Sequence, residues 1–370
     1  MPAKFELIAP CFFGCESTAK FELTRIGAEN IRVDDGRLSF AGGAEMIAAA
    51  NLNLRTVERV MLLLARYRAA TFDDLFDGVY DIPWEELLPA DAAFPVTGSS
   101  LPETGAEYKI RFMLRKDQCE IMLDTTGDGL HKRGYRRNAM EAPIRETLAA
   151  TIADLGRVCR DSLVEDPFCG SGTLLIEAAQ KAMNIAPGLK RRFAAERYGF
   201  VPAAIWAEQR QKALAEAKLD VGFEAFGYDI DPAAVALANA NAKLAGVEKR
   251  CHFEVADVAD FAAKQEAIVL TNPPYGERMS TIEGAAKLAR TLGRQMEAHP
   301  CAGVYAITAD MDFETHYGKR ANKRRKMYNG MIPCQLYMYY SAPKFEHTAK
   351  PMPKSGFDGK RTAPNRFNKK

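Results

Sequence analysis

Residues 162–179 read SLVEDPFCGSGTLLIEAA. An apolar, strand-like segment runs into a glycine-rich turn, and the turn opens directly into a helix-like segment. Gly170 and Gly172 let the backbone approach a ligand closely, and the N-terminus of the following helix offers unpaired N–H groups. A strand, turn and helix in this order predict one unit of an α/β fold with a ligand at the turn.

The same alternation continues on both sides of this unit. An amphipathic helix is predicted ahead of it in APIRETLAATIADLG. Strand-like segments, each followed by a helical one, are SLVEDPF, EAFGYDID, HFEVADV, AIVLTNPP and AGVYAITAD. NGMIPCQLYMYYS is predicted to be a strand that follows a charged loop and closes a hairpin. Strands that alternate with helices indicate a parallel sheet with right-handed crossovers.

The N-terminal part predicts a smaller α+β region. FELIAP is strand-like and ESTAKFELTRIG is helix-like, and two further strands, ENIRVDD and RLSFAG, flank a turn at Asp35-Gly36. Apolar residues recur at helical spacing from Ala44 to Arg68. DIPWEELL predicts a short helix that begins near Pro83. EYKIRFMLRKDQCEIMLDTTG predicts two adjacent strands with a turn near Lys116-Asp117.

Composition limits the classes of protein to be considered. The chain has 370 residues, with 47% hydrophobic and 26% charged content, which is ordinary for a globular protein of two or three domains. It contains no run of eighteen apolar residues, so we expect no membrane span. The eight cysteines form no Cys-x-x-Cys pair, which predicts reduced thiols in a cytoplasmic protein and no metal site. Residues 343–370 hold eight Lys or Arg against two acids and are predicted to be a disordered basic tail.

Aspartates follow the next predicted strands. Asp229 lies at the tip of the strand in GYDIDP, where a carboxylate can accept both ribose hydroxyl protons of a nucleoside. Asp257 follows the next strand and is a candidate acceptor for an adenine amino group. Asp231, with Pro232 after it, is interpreted as a helix N-cap. The 59-residue distance from Gly170 to Asp229 does not fit a dinucleotide fingerprint, and no Walker Gly-Lys-Ser/Thr is present.

TNPPYGER at residues 271–278 follows the apolar strand AIVL, at the carboxyl edge where open α/β sheets bind ligands. Two prolines fix the backbone and remove two N–H donors, so their carbonyls can point into a site. A rigid surface turn would not explain why an amide, two prolines and an aromatic residue follow a buried strand directly.

These motifs resemble those of a known family. DPFCGSGT, GYDID, AD and NPPYGER are similar to motifs I to IV of class I methyltransferases. DPFCGSGTLLIEAA, NPPYGER, DTTGDGLHKRGYR and KMYNGMIPCQLYMY together resemble the THUMP-domain family that makes N2-methylguanosine in large-subunit ribosomal RNA. The resemblance covers roughly residues 1–342. It implies a ferredoxin-like unit (1–45), a THUMP-like RNA-binding domain (46–140) and a Rossmann-like methyltransferase domain (141–342).

The resemblance implies S-adenosylmethionine as the cofactor and assigns roles to residues. Asn272, through its side-chain carbonyl, and Pro273, through its backbone carbonyl, would accept the two protons of the target amine. Pro274 completes this catalytic motif, and Tyr275 would stack on the flipped base. The implied cofactor-binding residues are Asp166, Phe168, Cys169, Gly170, Ser171, Gly172, Thr173, Asp229, Ile230, Asp257, Val258 and Asn272.

Cationic segments predict RNA as the partner. HKRGYRR at 131–137 mixes cations with an aromatic residue, and six cations fall within Lys319–Lys326. The predicted RNA-binding residues are Lys132, Arg133, Tyr135, Arg136, Lys323, Arg324 and Arg325. A helix rich in Lys and Ile that the THUMP family would carry is replaced by the short segment 101–106, so the THUMP-like domain is predicted to be shortened there.

Other functions remain open from the sequence alone. Asn-Pro-Pro-Tyr is shared by enzymes that methylate adenine N6 in nucleic acid or glutamine in proteins, and relatives in the broader group act on transfer RNA. The N-terminal region and the HKRGYR segment favour RNA among these. A non-catalytic RNA-binding assembly factor is a further alternative, although the intact motif residues disfavour it. The sequence does not predict an oligomeric state.

Overall fold

The computed structural model describes residues 4–89, 92, 107–136, 144–275 and 282–340, with only the backbone described at Leu87 and Ile282. Within these ranges the strands form two sheets, one of six strands and one of seven. Residues from both sheets belong to one compact unit. The predicted α/β architecture with a smaller α+β region ahead of it is confirmed.

The N-terminal sheet is antiparallel and has the order β2-β3-β1-β4-β6-β5. Its strands are β1 (Phe5–Pro10), β2 (Glu29–Asp34), β3 (Arg37–Gly42), β4 (Met61–Arg68), β5 (Ile110–Arg115) and β6 (Gln118–Asp124). The helices of this part are α1 (Glu16–Arg25), α2 (Ala44–Asn53), α3 (Phe72–Tyr80) and α4 (Trp84–Leu87).

The C-terminal sheet has the order β12-β13-β11-β10-β7-β8-β9. Its strands are β7 (Leu163–Asp166), β8 (Glu224–Asp229), β9 (Cys251–Val255), β10 (Ile268–Thr271), β11 (Gly303–Thr308), β12 (Lys323–Asn329) and β13 (Ile332–Tyr340). The helices are α5 (Glu146–Leu155), α6 (Thr173–Ala182), α7 (Ala203–Ala215), α8 (Pro232–Ala245), α9 (Ile282–Ala298) and α10 (Phe313–Tyr317). Strands β7 to β11 run parallel, and β13 is antiparallel to β11 and to β12.

The segment between α6 and β8 connects the two sheets. Phe193, Tyr198 and Trp206 from this segment are buried in the hydrophobic core of the N-terminal sheet. The Tyr198 ring stacks on Tyr108 at 4.4 Å, and its hydroxyl donates to the backbone carbonyl of Asp124 at 2.7 Å. The segment therefore fixes the helix that follows the glycine-rich turn against the N-terminal region.

Most predicted elements are confirmed, but the long helix predicted from Ala44 to Arg68 is wrong in its second half. Only Ala44–Asn53 is helical, whereas Met61–Arg68 is strand β4. β4 lies between β1 and β6, so both of its edges are paired. A short apolar run fits either a buried helix or a buried strand, and here pairing with distant strands decides between them.

Two further features differ from the sequence-based expectation. Helix α3 was not predicted, although Thr71 and Asp74 form a capping box at its start. The charged segment predicted as a loop before the last strand is strand β12, which pairs with β13 along its full length. The predicted hairpin itself is confirmed. The segment 101–106 and the tail 343–370 lie outside the described residues, and the boundaries at 45 and 140 stay predictions.

None of the helices in the described ranges is both long enough and apolar enough to cross a membrane.

Close packing of α9 on α10 yields a test of the fold. A Cβ added at Gly293 would overlap the backbone carbonyl of Tyr317 and lie 2.8 Å from its carbon. We expect Gly293→Ala to lower the free energy of unfolding by about 1–3 kcal/mol, because backbone must move to admit the methyl group. Urea unfolding measures the change. Gly199→Ala is the matched control, since nothing lies within 4 Å of its Cβ position, and equal midpoints for the two variants would contradict this packing.

Candidate active site

The carboxyl ends of four neighbouring parallel strands bring the predicted site residues to one edge of the sheet. β7 ends at Asp166, β8 at Asp229 and β10 immediately before Asn272. Asp257 follows β9 after one intervening residue. The strands lie side by side in the order β10-β7-β8-β9. Because neighbouring strands are about 4.8 Å apart, Asn272 and the three aspartates lie close together at this edge.

The loop between β7 and α6 has the conformation that its glycines predict. Gly170 has φ +52° and Gly172 has φ +77°, a left-handed backbone that other residues adopt only with strain. A Cβ at Gly172 would lie 2.8 Å from the Phe253 ring. The Gly170 N–H donates to the Asp229 carboxylate at 2.9 Å, so the loop is fixed to the tip of β8. This leaves the N-terminus of α6 close to the acids.

Asp166 is a buried carboxyl at the centre of this edge. Its exposed fraction is 1%, and the N–H of Phe168 donates to it at 3.0 Å. Burial raises the pKa of Asp166 to about 7, and the negative charge of Asp229 adds to the rise. A buried acid with a raised pKa is an unfavourable place for a negative charge and a favourable partner for a cation.

The end of β8 carries a carboxylate, Asp229, next to an exposed apolar side chain, Ile230. Asp229 accepts from the N–H of Gly170 and, through its other oxygen, from the N–H of Asp231 at 3.0 Å. Ile230 beside it is 68% exposed, which leaves an apolar side chain available to cover a flat ring. The interpretation of Asp231 as an N-cap is confirmed, since it accepts from the N–H of Ala233 at 2.9 Å with Pro232 in the first turn.

Several residues assigned to the cofactor have other contacts in the structure. Asp257 caps the 3-10 turn 258–260 through the N–H of Ala259 at 2.9 Å. Val258 is buried in a core cluster with Phe261 and Val269. Burial raises the pKa of the Cys169 thiol, which disfavours a thiolate there. The Ser171 and Thr173 hydroxyls are 3.1 Å apart and turned towards each other.

The residues predicted to hold the target amine follow β10 directly. Asn272 and Pro274 are half-buried, and Pro273 is buried. Tyr275 is only 8% exposed and lies in the core with Tyr135 and Met327. Its hydroxyl accepts from the Cys334 thiol at 3.8 Å. Little of the Tyr275 side chain is exposed in this conformation, and its stacking role stays a prediction. Residues 276–278 of the motif lie outside the described residues.

The HKRGYR segment is mostly a structural element. Arg133 and Tyr135 are 2% and 1% exposed, so the RNA contacts predicted for them do not fit the structure. The Arg133 guanidinium pairs with the Glu177 carboxylate on α6 at 3.4 Å and donates to the carbonyl of Arg55 at 2.6 Å. The Tyr135 hydroxyl donates to Glu177 at 3.1 Å. Burial opposes a charge on Arg133, but Glu177, together with Tyr135 and Glu146, outweighs it and raises the pKa of Arg133.

The other predicted cations lie nearer the surface. Lys132 is exposed and pairs with Asp128 at 2.9 Å. Arg136 is half-buried and donates to the Thr173 hydroxyl at 3.3 Å and to the Glu146 carboxylate at 3.2 Å, which places it beside the start of α6. On β12, Lys323 and Arg324 are exposed, whereas Arg325 is half-buried and donates to the backbone carbonyl of Gly14.

Comparison with known proteins agrees with this geometry. Residues 133–338 match the family model described as the RMKL-like methyltransferase domain, and residues 6–61 match the RlmL ferredoxin-like domain. The putative RNA methyltransferase YpsC of Bacillus subtilis is 37% identical over 91% of this chain and 96% of its own length. The ribosomal RNA large subunit methyltransferase K/L of Syntrophotalea carbinolica is 31% identical over 90% of this chain but only 53% of its own length, so the chain spans about half of that relative.

A solved structure shows the same fold. SMU.472, described as a putative methyltransferase complexed with SAH, superposes with a TM-score of 0.84 at 35% identity, over 92% of this chain and 99% of that one. The match runs through both sheets described above, since it covers nearly the whole of each chain.

The buried pair of Arg133 and Glu177 gives a stability prediction. Glu177→Gln removes the carboxylate and leaves the guanidinium buried without a counter-charge, so we expect a loss of about 3–5 kcal/mol in the free energy of unfolding. Asp128→Asn, which breaks the exposed pair with Lys132, is the matched control, with an expected loss of about 0–1 kcal/mol. Urea unfolding compares the two. The double variant Arg133→Met/Glu177→Leu should recover most of the loss, and a Glu177→Gln protein as stable as the parent would contradict the role of the pair.

The raised pKa of Asp166 gives a pH-dependent prediction. A carboxyl whose pKa rises from 3.8 to about 7 on folding stabilises the protein at low pH, and that contribution is lost as pH rises towards 7. Asp166→Asn removes the titration but keeps an acceptor for the Phe168 N–H. We expect the variant and parent to have similar stability near pH 4, and the variant to be more stable by roughly 4 kcal/mol at pH 8. Urea unfolding at both pH values measures this, and a stability difference that does not change with pH would rule out the shift.

Proposed function

The chain belongs to the RMKL-like methyltransferase family, and on this basis we propose that it methylates the exocyclic N2 amine of a guanine in large-subunit ribosomal RNA, with S-adenosylmethionine as methyl donor. The observation that carries the proposal is the position of Asn272 at the end of β10, next to β7 with Asp166 and the glycine turn. Asn272, an acceptor for the amine, therefore follows the strand next to the one that carries the proposed nucleoside site.

The residues at the sheet edge suit the proposed cofactor. Asp229 offers carboxylate oxygens for the ribose hydroxyls, Ile230 offers apolar surface for the adenine, and Asp257 lies at the next strand end. Asp166, with its raised pKa, is a suitable acceptor for the ammonium group, because a cation would stabilise its ionised form. When bound, S-adenosylmethionine supplies an electrophilic methyl group on a sulfonium.

Asn272 and Pro273 orient the amine that accepts the methyl group. The side-chain carbonyl of Asn272 and the backbone carbonyl of Pro273 accept one amine hydrogen each, which turns the nitrogen lone pair out of conjugation with the base. Holding the nitrogen in line with the methyl carbon can contribute on the order of 7–11 kcal/mol, more than any single hydrogen bond. The nitrogen becomes cationic as the bond forms and then loses a proton readily, so a strong general base is not required.

RNA as the substrate is supported by a cationic cavity beside the site. The cavity has a volume of about 590 Å³, and its lining includes His131 and the charged residues Asp128, Lys132, Arg133, Arg136, Glu146, Arg191 and Arg192. Cations outnumber acids in this lining, and Arg136 connects it to Thr173 at the start of α6. Such a surface fits phosphates, which would position the RNA without reading its sequence. Lys132, Arg136, Lys323 and Arg324 remain our proposed RNA contacts.

The two main alternatives are separated by the product. A transfer RNA guanine or an adenine N6 would use the same Asn272 chemistry, so the site geometry favours neither over guanine N2. The Syntrophotalea relative is named a ribosomal RNA large subunit methyltransferase, which favours that substrate. Mass mapping of methylated nucleosides in ribosomal and transfer RNA, with and without the gene, distinguishes all three.

Asn272→Ala tests the mechanism. We expect transfer of labelled methyl from S-adenosylmethionine to ribosomal RNA of a strain lacking the gene to fall by at least about 10²–10³-fold, because the amine loses a positioned partner. Binding of S-adenosylhomocysteine, measured by calorimetry, should survive, because the other proposed cofactor-binding residues are unchanged. Asn239→Ala on α8, which removes an exposed amide bonded only to the Val235 carbonyl among the described residues, is the matched control and should retain activity. Near-normal turnover by Asn272→Ala would refute the assignment.

A further inference from the structure

The hairpin formed by β12 and β13 projects beyond the reactive edge of the sheet. β13 pairs antiparallel with β11, and Thr308, the last residue of β11, pairs with Gln335. Residues 332–334 therefore extend past the end of β11 by about 10 Å, at the strand rise of 3.4 Å per residue. Thr271 at the end of β10 pairs with Ala306, so β10 ends even earlier. The tip of the hairpin thus lies beyond the level at which Asn272 leaves the sheet.

The hairpin contacts the catalytic motif close to its turn. Tyr275 and Cys334 interact through their hydroxyl and thiol at 3.8 Å. The side chain of Asn329 accepts from the N–H of Arg145 at 3.3 Å. The two strands are joined by a two-residue turn with Gly330 at φ +66° in the first central position, as a type II′ turn requires. These contacts beside the turn, and the tight turn itself, give the tip a defined position.

The tip exposes apolar side chains beside cations. Tyr328 is 54% exposed and Met331 is 94% exposed, and Ile332 is also exposed. Because side chains alternate along a strand, Tyr328 shares a face of β12 with Lys326 and Arg324, both of which are exposed. We call Arg324, Lys326, Tyr328, Met331 and Ile332 the hairpin patch. Exposed aromatic and thioether groups with adjacent cations are the chemistry of a platform for single-stranded nucleic acid.

The patch also provides what the catalytic motif lacks. A target base must leave its stack to reach Asn272, and this deprives its neighbours of a stacking partner. The Tyr275 side chain is buried in the core, with only 8% of its surface exposed. Among the described residues near the motif, Tyr328 is the aromatic side chain with an exposed ring on a segment fixed to Tyr275 through Cys334.

We propose that the hairpin patch binds the unpaired nucleotides that flank the target base, with Tyr328 and Met331 stacking on them and Lys326 and Arg324 contacting their phosphates. This inference rests on the proposed function, since it assigns a contact surface to the same RNA substrate. Stacking on an aromatic side chain tolerates any sequence. The patch would therefore favour single-stranded RNA next to the target, while the residues around Asn272 select the base.

Fluorescence at position 328 tests the contact directly. Tyr328→Trp places an indole on the patch, and a 12-nucleotide oligouridylate or oligoadenylate should quench its emission and shift it as bases stack. Phe21→Trp is the matched control, because Phe21 is an exposed aromatic residue on α1, 66% exposed, and should show no RNA-dependent change. Trp84 and Trp206 are common to both variants. Unchanged emission at 328, at RNA concentrations that saturate binding by anisotropy, would overturn the proposal.

Kinetics separate this inference from the proposed function. Tyr328→Ala should raise the KM for ribosomal RNA by roughly 5–100-fold, the range expected for loss of one stacked base. Tyr328→Phe should restore KM to within about twofold, and the affinity of Tyr328→Ala for S-adenosylhomocysteine should equal that of the parent. A parent protein that methylates RNA together with an unchanged KM for Tyr328→Ala refutes the hairpin patch alone. A parent that binds S-adenosylhomocysteine but methylates no RNA refutes the proposed function, while quenching at 328 still decides the contact.

Discussion

The ion pair between Arg133 and Glu177 connects the N-terminal sheet to the helix that begins at the glycine turn. Glu177 lies on α6, four residues after Thr173, and Arg133 comes from the segment that follows the N-terminal sheet. The same guanidinium donates to the carbonyls of Leu130 and Arg55. Removing two charges from water costs several kcal/mol, which only additional hydrogen bonds and good geometry offset. Arg133 makes such additional hydrogen bonds to the carbonyls of Leu130 and Arg55. The position of α6, and with it the glycine turn, therefore depends on the N-terminal region being folded.

The electrostatics of the groove follow from this arrangement. With α6 fixed, its N-terminus and the turn at Gly170 face two acids on neighbouring strands, and Gly170 itself donates to Asp229. The negative charge of Asp166 is poorly stabilised, because burial and the nearby Asp229 carboxylate raise its pKa to about 7. A ligand with a cationic group would lower that pKa and release a proton on binding near neutral pH. The free site is therefore less stable than it would be with a neutral side chain, which is common where a protein binds a charged ligand.

Local sequence patterns predicted much of this fold and less of the site. The strand ends at Asp166, Asp229 and Asn272 follow from apolar runs and glycine placement, which act over a few residues. Strand β4 was missed because its pairing partners are distant in sequence. The burial of Arg133 and Tyr275 was missed for a related reason, since cations and aromatic residues have the same local signature at an RNA surface and in a buried network. Burial depends on which elements pack together, and no pattern within HKRGYR contains that information.

The burial of Tyr275 has a structural consequence for the reaction centre. A hydroxyl and a thiol link Tyr275 to Cys334, and hydrophobic packing surrounds both side chains. Asn272 is separated from Tyr275 only by two prolines, whose fixed φ angles leave little freedom between them. A displacement of the β12–β13 hairpin would therefore act on the backbone beside Asn272, the amide proposed to hold the target amine. If RNA docks on the exposed tip at Tyr328, the hairpin patch would position the RNA strand and Asn272 would position the amine. The two are connected through Cys334 and Tyr275. On this proposal, the inward packing of Tyr275 would position Asn272, while the exposed ring of Tyr328 would meet the substrate.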